Sequence, residues 1–524
     1  MKFFKPFLLI TLFLSSLASA RQFPGIFPRS APPEALYVIE RKDLSNHDWH
    51  LASIIQGMAN RSQPQIFIVE STENMFGLNV WPDYYQKEYG IKNLGTISLA
   101  EALKKYAGLF QGYALFSFEE DWTVNVADTY CAINDCLPVT AEQENLAQEF
   151  GLEKLEDFRG RWRENISAME WAFQELYPKC SCQTAASLMP TRHSLRDYLF
   201  AHRIFIFYLA PSRGQYFALQ SLLRKLPGNI PMLGYLANSI REELVGEIML
   251  GRANKFLIPT DTTANLSVHS GIPIQPLPEI EQWSKAPDIS GKLAVAFAFT
   301  DGDNIFLESE YYQSTEYWQN PDRGKLKVGW SFAPELYELA PGMIRYYYQT
   351  RTENDFLIPF SGAGYTYSTF YSDKDFFISL SKTYFQLTGL DLLWVIDPQF
   401  YLTGDQRTYK KFAEPFAKAD FIKGILIGYM PSGLGKYWDD LPGYPPVIYS
   451  KVSYFTGDPK TLANAIKSEA ISVPARGKIL FYGVGNWKVS YGDLIKVAEL
   501  LQARDDIIFI SPQDAFAIIE KWRK

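Results

Sequence analysis

The chain has 524 residues, with 51 Lys and Arg against 58 Asp and Glu and a formal net charge of -7. No block of Lys and Arg makes a phosphate-binding stripe, which argues against a nucleic acid partner. This length suggests three or four domains of about 100 to 200 residues each, and 12 Trp, 32 Tyr and 37 Phe supply both core and rings that stack on sugar faces.

Residues 1–20 read as a secretory signal peptide: Lys2 and Lys5 precede the apolar stretch Phe7 to Leu14, and Ala18-Ser19-Ala20 form the cleavage site. No later apolar run reaches the ~20 residues of a membrane span, so a secreted or periplasmic protein is expected. Cys131, Cys136, Cys180 and Cys182 suit disulfides in such a protein, with three connectivities open. Their spacing does not suit zinc.

Strands at Ala35 to Ile39, Ile66 to Val69 and Tyr113 to Phe118 alternate with helices, one of them carrying Leu51, Ile54, Ile55 and Met58 on a single face. This predicts an N-terminal α/β domain over 33–128. Residues 129–203 are expected to form a mainly helical second domain, with a capping pair at Thr140 and Gln143 and an apolar face from Trp162 to Leu176. Strands at Ile204 to Leu209, Met232 to Leu236 and Phe256 to Pro259 predict a third, α/β, domain over 204–272. Pro273, Pro276, Pro278 and Pro287 mark a linker over 273–291.

From residue 292 to 524 strand candidates recur: Leu293 to Phe299, Leu326 to Trp330, Phe356 to Phe360, Leu392 to Ile396, Ile425 to Tyr429, Val447 to Tyr454, Ile479 to Tyr482 and Ile507 to Ile510. Seven or eight strands separated by helical segments have the rhythm of a (β/α) barrel, with a doubly wound open sheet as the alternative. The expected fold is α/β: several small N-terminal α/β domains followed by a barrel-like C-terminal domain.

The first of these strands runs directly into Thr300-Asp301-Gly302-Asp303-Asn304, and the fourth is followed by Asp397. Groups at the carboxyl ends of parallel strands face the ligand crevice, which makes Asp301, Asp303 and Asp397 candidate catalytic carboxylates and Asn304 a substrate contact or helix cap. After the third strand comes Ser361-Gly362-Ala363-Gly364-Tyr365-Thr366-Tyr367. Gly362 and Gly364 allow close backbone approach, while Tyr365 and Tyr367 offer rings and hydroxyls to a sugar. Trp330, Tyr429 and Trp487, also near strand ends, complete an expected aromatic-lined cleft. Glu308 and Glu310 read as a solvated helix face, and Glu335 lies near a loop.

The run from Gly362 to Tyr367 resembles the signature of the GxGYxYP family, secreted proteins classed with glycoside hydrolases by association. Gln56-Gly57-Met58-Ala59-Asn60-Arg61, Asn265-Leu266-Ser267 and Asp301-Gly302-Asp303-Asn304 resemble it as well, so the likeness spans the mature chain. Ser368 stands where the signature has its last proline. The resemblance implies several small domains before a catalytic-like C-terminal one, and sugar chemistry there.

Glycoside hydrolysis needs two carboxyl groups flanking the bond, one of them protonated. The expected activity is therefore hydrolysis of a poly- or oligosaccharide by Asp301 or Asp303 together with Asp397. The alternative is a glycan-binding protein without catalysis. No organic cofactor is expected. A calcium loop of the EF-hand type fails because Phe306 and Tyr312 occupy its glycine and glutamate positions. A metal-dependent deacetylase fails because no histidine follows His269. A divalent cation held by carboxylates near Asp301 is the weaker alternative to no metal.

Overall fold

The computed structural model describes residues 25–69, 80–396, 414–416, 418–430, 438–439, 443–453 and 458–524; the expected signal peptide, Asp397 and the side chain of Tyr429 lie outside the described residues. No helix among the described residues is long and apolar enough to cross a membrane.

Three small parallel sheets precede the barrel. The first has β1 (Ala35–Glu40), β2 (Ile66–Val69) and β3 (Lys92–Thr96) in the order β2-β1-β3. The second has β4 (Tyr113–Leu115), β5 (Leu137–Val139) and β6 (Lys154–Asp157) in the order β5-β4-β6. The third has β7 (Ser181–Ser187), β8 (Ile204–Phe207), β9 (Ile230–Gly234) and β10 (Lys255–Pro259) in the order β10-β9-β7-β8. The stretch expected to be mainly helical thus carries β5, β6 and β7. These strands lack a readable pattern: β5 contains Pro138, and three of the four residues of β6 are charged. Of the four cysteines, Cys131 and Cys136 form a disulfide at the end of the Trp122–Asn134 helix, while Cys180 and Cys182 are free thiols.

Two of the family-like motifs join the first sheet's domain to the third. Gln56 Nε2 donates to Asn265 Oδ1 at 2.7 Å, and Asn60 Nδ2 donates to Ser267 Oγ at 2.8 Å. Ser267 donates through N and Oγ to Asp197 Oδ2 at 2.9 and 2.6 Å. All of these side chains are buried, and burial pushes the Asp197 carboxyl up to about 7. Between Gln56 and Asn60, Gly57 lets the Asn46–Asn60 helix touch its neighbour, since a Cβ there would lie 2.6 Å from Asp197 O. These motifs therefore serve a polar joint in which every donor must be matched.

The C-terminal strands are β11 (Leu293–Phe299), β12 (Val328–Phe332), β13 (Asp355–Pro359), β14 (Leu392–Val395), β15 (Gly424–Met430), β16 (Trp438–Asp439), β17 (Val447–Ser453), β18 (Lys478–Val484) and β19 (Ile507–Phe509). The parallel order β13-β12-β11-β18-β17-β15-β14 follows the chain around a ring. A bridge between Phe360 and Trp394, with Ser361 N donating to Trp394 O at 2.8 Å, closes it at the carboxyl ends of β13 and β14. β18 pairs with β11 along its whole length, so β19 and β12 share the other edge, β19 beside Leu293 to Val295 and β12 beside Phe297 to Phe299. The eighth strand is thus a wedge beside the first strand, and seven strands make the ring.

The alternation in β11 explains the interior. Leu293, Val295, Phe297 and Phe299 pack on one side, and Ala294, Ala296 and Ala298 on the other. The alanine side shares its core with Trp394, which crosses to Gly428 and Gly483; a Cβ at either would lie 2.3 or 2.9 Å from the indole. Small residues on three strands accommodate one large side chain, which fills the barrel as a packed core.

Candidate active site

The end of β11 places two carboxyl groups on one tight turn, Asp301 and Asp303 flanking Gly302. Asp301 adopts a left-handed φ of 63°, tolerated by aspartate better than by most side chains. Gly302 lies hard against β12, its N–H donating to Ser331 Oγ at 2.8 Å, and a Cβ there would sit 1.9 Å from Ser331 O. Asp301 is partly exposed and accepts from Trp487 Nε1 at 2.9 Å and Thr300 Oγ1 at 3.2 Å. Asp303 is 8% exposed, and burial, then the Asp301 charge, push its carboxyl well above the ordinary range.

Further acids meet there. Glu308, on the Ile305–Ser309 helix, is fully buried, and burial followed by Glu335 and Asp303 raises it strongly. The solvated face expected for Glu308 is thereby corrected, because its helix packs against β10 and the Tyr311–Gln313 turn. Glu335, just beyond β12, is 1% exposed and pushed up to about 8 by burial. From the third sheet's domain come Glu243 and Glu247, one turn apart on the Ile240–Arg252 helix, and Tyr235 after β9. Glu247 is buried and raised by desolvation, then by Glu243 and Asp303. Among the described residues no three His, Cys, Asp or Glu side chains are placed to hold a metal ion.

Folded-state protonation of Glu335 gives a pH-dependent stability. From the ordinary value of 4.5 up to about 8, the folded chain keeps a proton that the unfolded chain releases. Stability therefore falls by about 1.4 kcal/mol per pH unit across that window through this group. In Glu335→Gln this slope should vanish, so between pH 5 and pH 8 the variant gains roughly 4 kcal/mol relative to the parent in denaturant unfolding. Parallel stability curves would show that Glu335 ionises freely.

The remaining predicted residues separate into distinct places. Trp487 is 46% exposed, in contact with Tyr311 at 4.8 Å between ring centres, and stands open beside Asp301. Asn304 caps the Ile305–Ser309 helix, accepting from Phe306 N at 3.2 Å. Trp330 is a core residue: fully buried, it donates to Asp355 Oδ1 at 2.9 Å and packs on Phe299. Tyr365 and Tyr367 are 3% and 6% exposed, so neither offers an open ring face.

What the signature loop does instead is dock the barrel on the third sheet. Tyr365 N and O pair with Leu257 O and N at 2.8 and 2.9 Å, continuing β10 by an antiparallel bridge. Gly364 makes this approach possible, since a Cβ would meet Ile258 and Phe256 at 2.7 Å, and Gly362 does the same against Ser381 at 2.6 Å. The Tyr365 hydroxyl donates to Glu243 Oε1 at 2.6 Å and lies 3.1 Å from that of Tyr367. A cavity of about 750 Å³ between Trp283, Lys423, Tyr444, Pro446 and Arg523 lies at the amino-terminal ends of β15 and β17, away from all these groups.

Glu335, a lower-ranked candidate carboxylate in the sequence, obeys the strand-end rule, being three residues past β12. Glu243, Glu247 and Tyr235 carry no such signal, because the acids they meet lie some 60 residues further along the chain, in another domain.

A search among curated proteins finds no match. Among solved structures, a crystal structure described as a "putative hydrolase" from Bacteroides thetaiotaomicron aligns with a TM-score of 0.80 at 23% identity, over 95% of this chain and 97% of that one. That likeness is one of fold. Family models match in succession: the first, second and third GxGYxYP N-terminal domains over 35–108, 110–181 and 180–271, and the "GxGYxYP putative glycoside hydrolase C-terminal domain" over 291–519. With its four domain models in order along nearly the whole chain, the protein belongs to the GxGYxYP family.

Proposed function

We propose that the chain hydrolyses a glycosidic bond of an extracellular or periplasmic glycan at the carboxyl end of β11. What carries this reading is the contrast between Asp301 and Asp303, two residues apart. Asp301 is partly exposed and bonded to a half-open tryptophan, while Asp303 is buried in surroundings that keep it protonated. Asp303 is the acid, giving its proton to the glycosidic oxygen as the bond to the anomeric carbon breaks. Asp301 is the second carboxylate, either taking a proton from the attacking water or bonding to the carbon first; the anomer released distinguishes the two. Trp487 is the sugar platform, its indole held in orientation by the bond to Asp301. The reaction uses no organic cofactor. Asp397 follows β14, whose carboxyl end opens on the same face, and belongs in the same set of variants.

The test is hydrolysis of a broad glycan panel by the parent chain and by Asp301→Asn, Asp303→Asn and Asp397→Asn, each checked for retained folding. The first two should lose activity by a factor of 100 or more, roughly the contribution of a positioned acid or base. Sugar binding without turnover, surviving all three substitutions, would refute the hydrolase and identify a glycan-binding protein.

A further inference from the structure

Asn486, two residues past β18 and next to Trp487, is fully buried. Its Nδ2 reaches across to the neighbouring strand end, donating to Thr300 O and to the Tyr312 hydroxyl, the latter at 3.2 Å. A carbonyl oxygen only accepts, so Thr300 O fixes which way the amide faces. Asn486 Oδ1 is thereby left buried with no hydrogen-bond partner among the described residues. A buried acceptor without a donor is unfavourable, so the amide serves through its donor side. Thr300 N donates to Val484 O at 3.0 Å, which ties Thr300 to β18 and its loop through both N and O, directly before Asp301. The peptide joining Asn486 to Trp487 is held as well: Asn486 O accepts from the hydroxyls of Tyr311, at 3.2 Å, and Tyr317. The Tyr311 ring lies 4.8 Å from that of Trp487, whose Nε1 donates to Asp301 Oδ2 at 2.9 Å. The bonds thus close a circuit, from Thr300 O to Asn486, along the chain to Trp487, through its indole to Asp301, and back along the chain to Thr300.

We propose that Asn486 is a positioning residue of the active site: its amide fastens the loop carrying Trp487 to the Thr300 carbonyl, so that the sugar platform and Asp301 keep one fixed spacing. The inference rests on reading Asp301 and Trp487 as groups that meet the sugar. Trp487 is half exposed and Asp301 partly so, which leaves water free to compete for the bond between them. With the backbone on both sides of that bond tied down, the indole and the carboxyl meet again without a search, and their geometry is set before a sugar arrives. Asn486 itself touches neither the sugar nor the reacting atoms. Tyr311 and Tyr317 act with it, holding the carbonyl side of the same residue.

The experiment is solvent exchange of the Trp487 indole N–H, followed by NMR in the full chain with isotope-labelled tryptophan, the signal being identified by its loss in Trp487→Phe. Asp301→Ala gives the exchange rate of the unbonded indole. In the parent, exchange should be slower than that by about tenfold, the effect of one hydrogen bond. In Asn486→Ala it should rise most of the way to the Asp301→Ala rate, while the other indole signals stay in place. Tyr311→Phe combined with Tyr317→Phe, which removes two hydroxyls and keeps both rings, should raise it by less, and gives the reading should Asn486→Ala fail to fold. Exchange that stays at the parent's rate in Asn486→Ala, or in the tyrosine pair where it alone folds, overturns the proposal. So does a parent whose Trp487 exchanges as fast as in Asp301→Ala. No substrate is needed, so failure of the hydrolase reading appears separately, as a parent chain that cleaves no glycan. Where hydrolysis is measured, Asn486→Ala should lower kcat and raise KM together, with kcat/KM falling by about 100-fold, the scale of a small misplacement of reacting groups.

Discussion

Replacing Gly302 with alanine is expected to destabilise the barrel by about 3 kcal/mol, at the upper end of what overpacking costs, and to abolish the proposed hydrolysis with it. The added methyl would sit 1.9 Å from Ser331 O and 2.2 Å from Ser331 C. Both are backbone atoms of a strand interior to the ring, so no side chain can rotate to relieve the contact. Relief requires β11 and β12 to separate at their carboxyl ends, which breaks the Gly302 N–H to Ser331 Oγ bond and displaces Asp301 and Asp303 on either side. Gly214→Ala is the control, because its methyl would meet nothing within 4 Å. Melting temperature and turnover measured together decide the matter: a Gly302→Ala protein that melts and turns over like the parent would show that these strand ends yield.

How the site was legible in the sequence follows from the same geometry. Strands buried on both faces read as apolar runs, and β11, with alanines toward Trp394 and larger residues outward, does so along its whole length. Its abrupt end in Asp301 and Asp303 was therefore visible, as was the ring of strands behind it. Glu308 reads as solvated in the sequence because a buried helix of five residues is too short to show an apolar face. Tyr365 and Tyr367 were expected to be open sugar platforms, whereas their rings fill a seam between domains, and composition alone cannot separate a stacking surface from a packed one. Trp330 illustrates the same ambiguity within a strand.

The second large effect concerns the joint that holds the N-terminal sheets together. Asp128, fully buried, is paired with the equally buried Arg196 and accepts from His50 Nε2 at 3.0 Å. Burial opposes the charge on Asp128, but His50 and Arg196 together outweigh it and hold the carboxyl below its ordinary range. Burial keeps His50 neutral, with Nε2 as the donor and Nδ1 left without a hydrogen-bond partner. Asp128→Asn is therefore expected to cost about 3–5 kcal/mol, the price of leaving a buried guanidinium without its counter-charge. His50 can exchange tautomers to suit an amide; Arg196 cannot lose its charge. Arg196 also donates to the backbone oxygens of Arg192 and Pro190 and to Asn125 Oδ1, so its displacement would loosen the turn carrying His193. The double variant Asp128→Leu with Arg196→Met, which removes both charges and keeps apolar volume, should recover most of the loss in denaturant unfolding. If its destabilisation instead equals the sum of the two single substitutions, the pair is uncoupled and the joint draws its strength from packing alone.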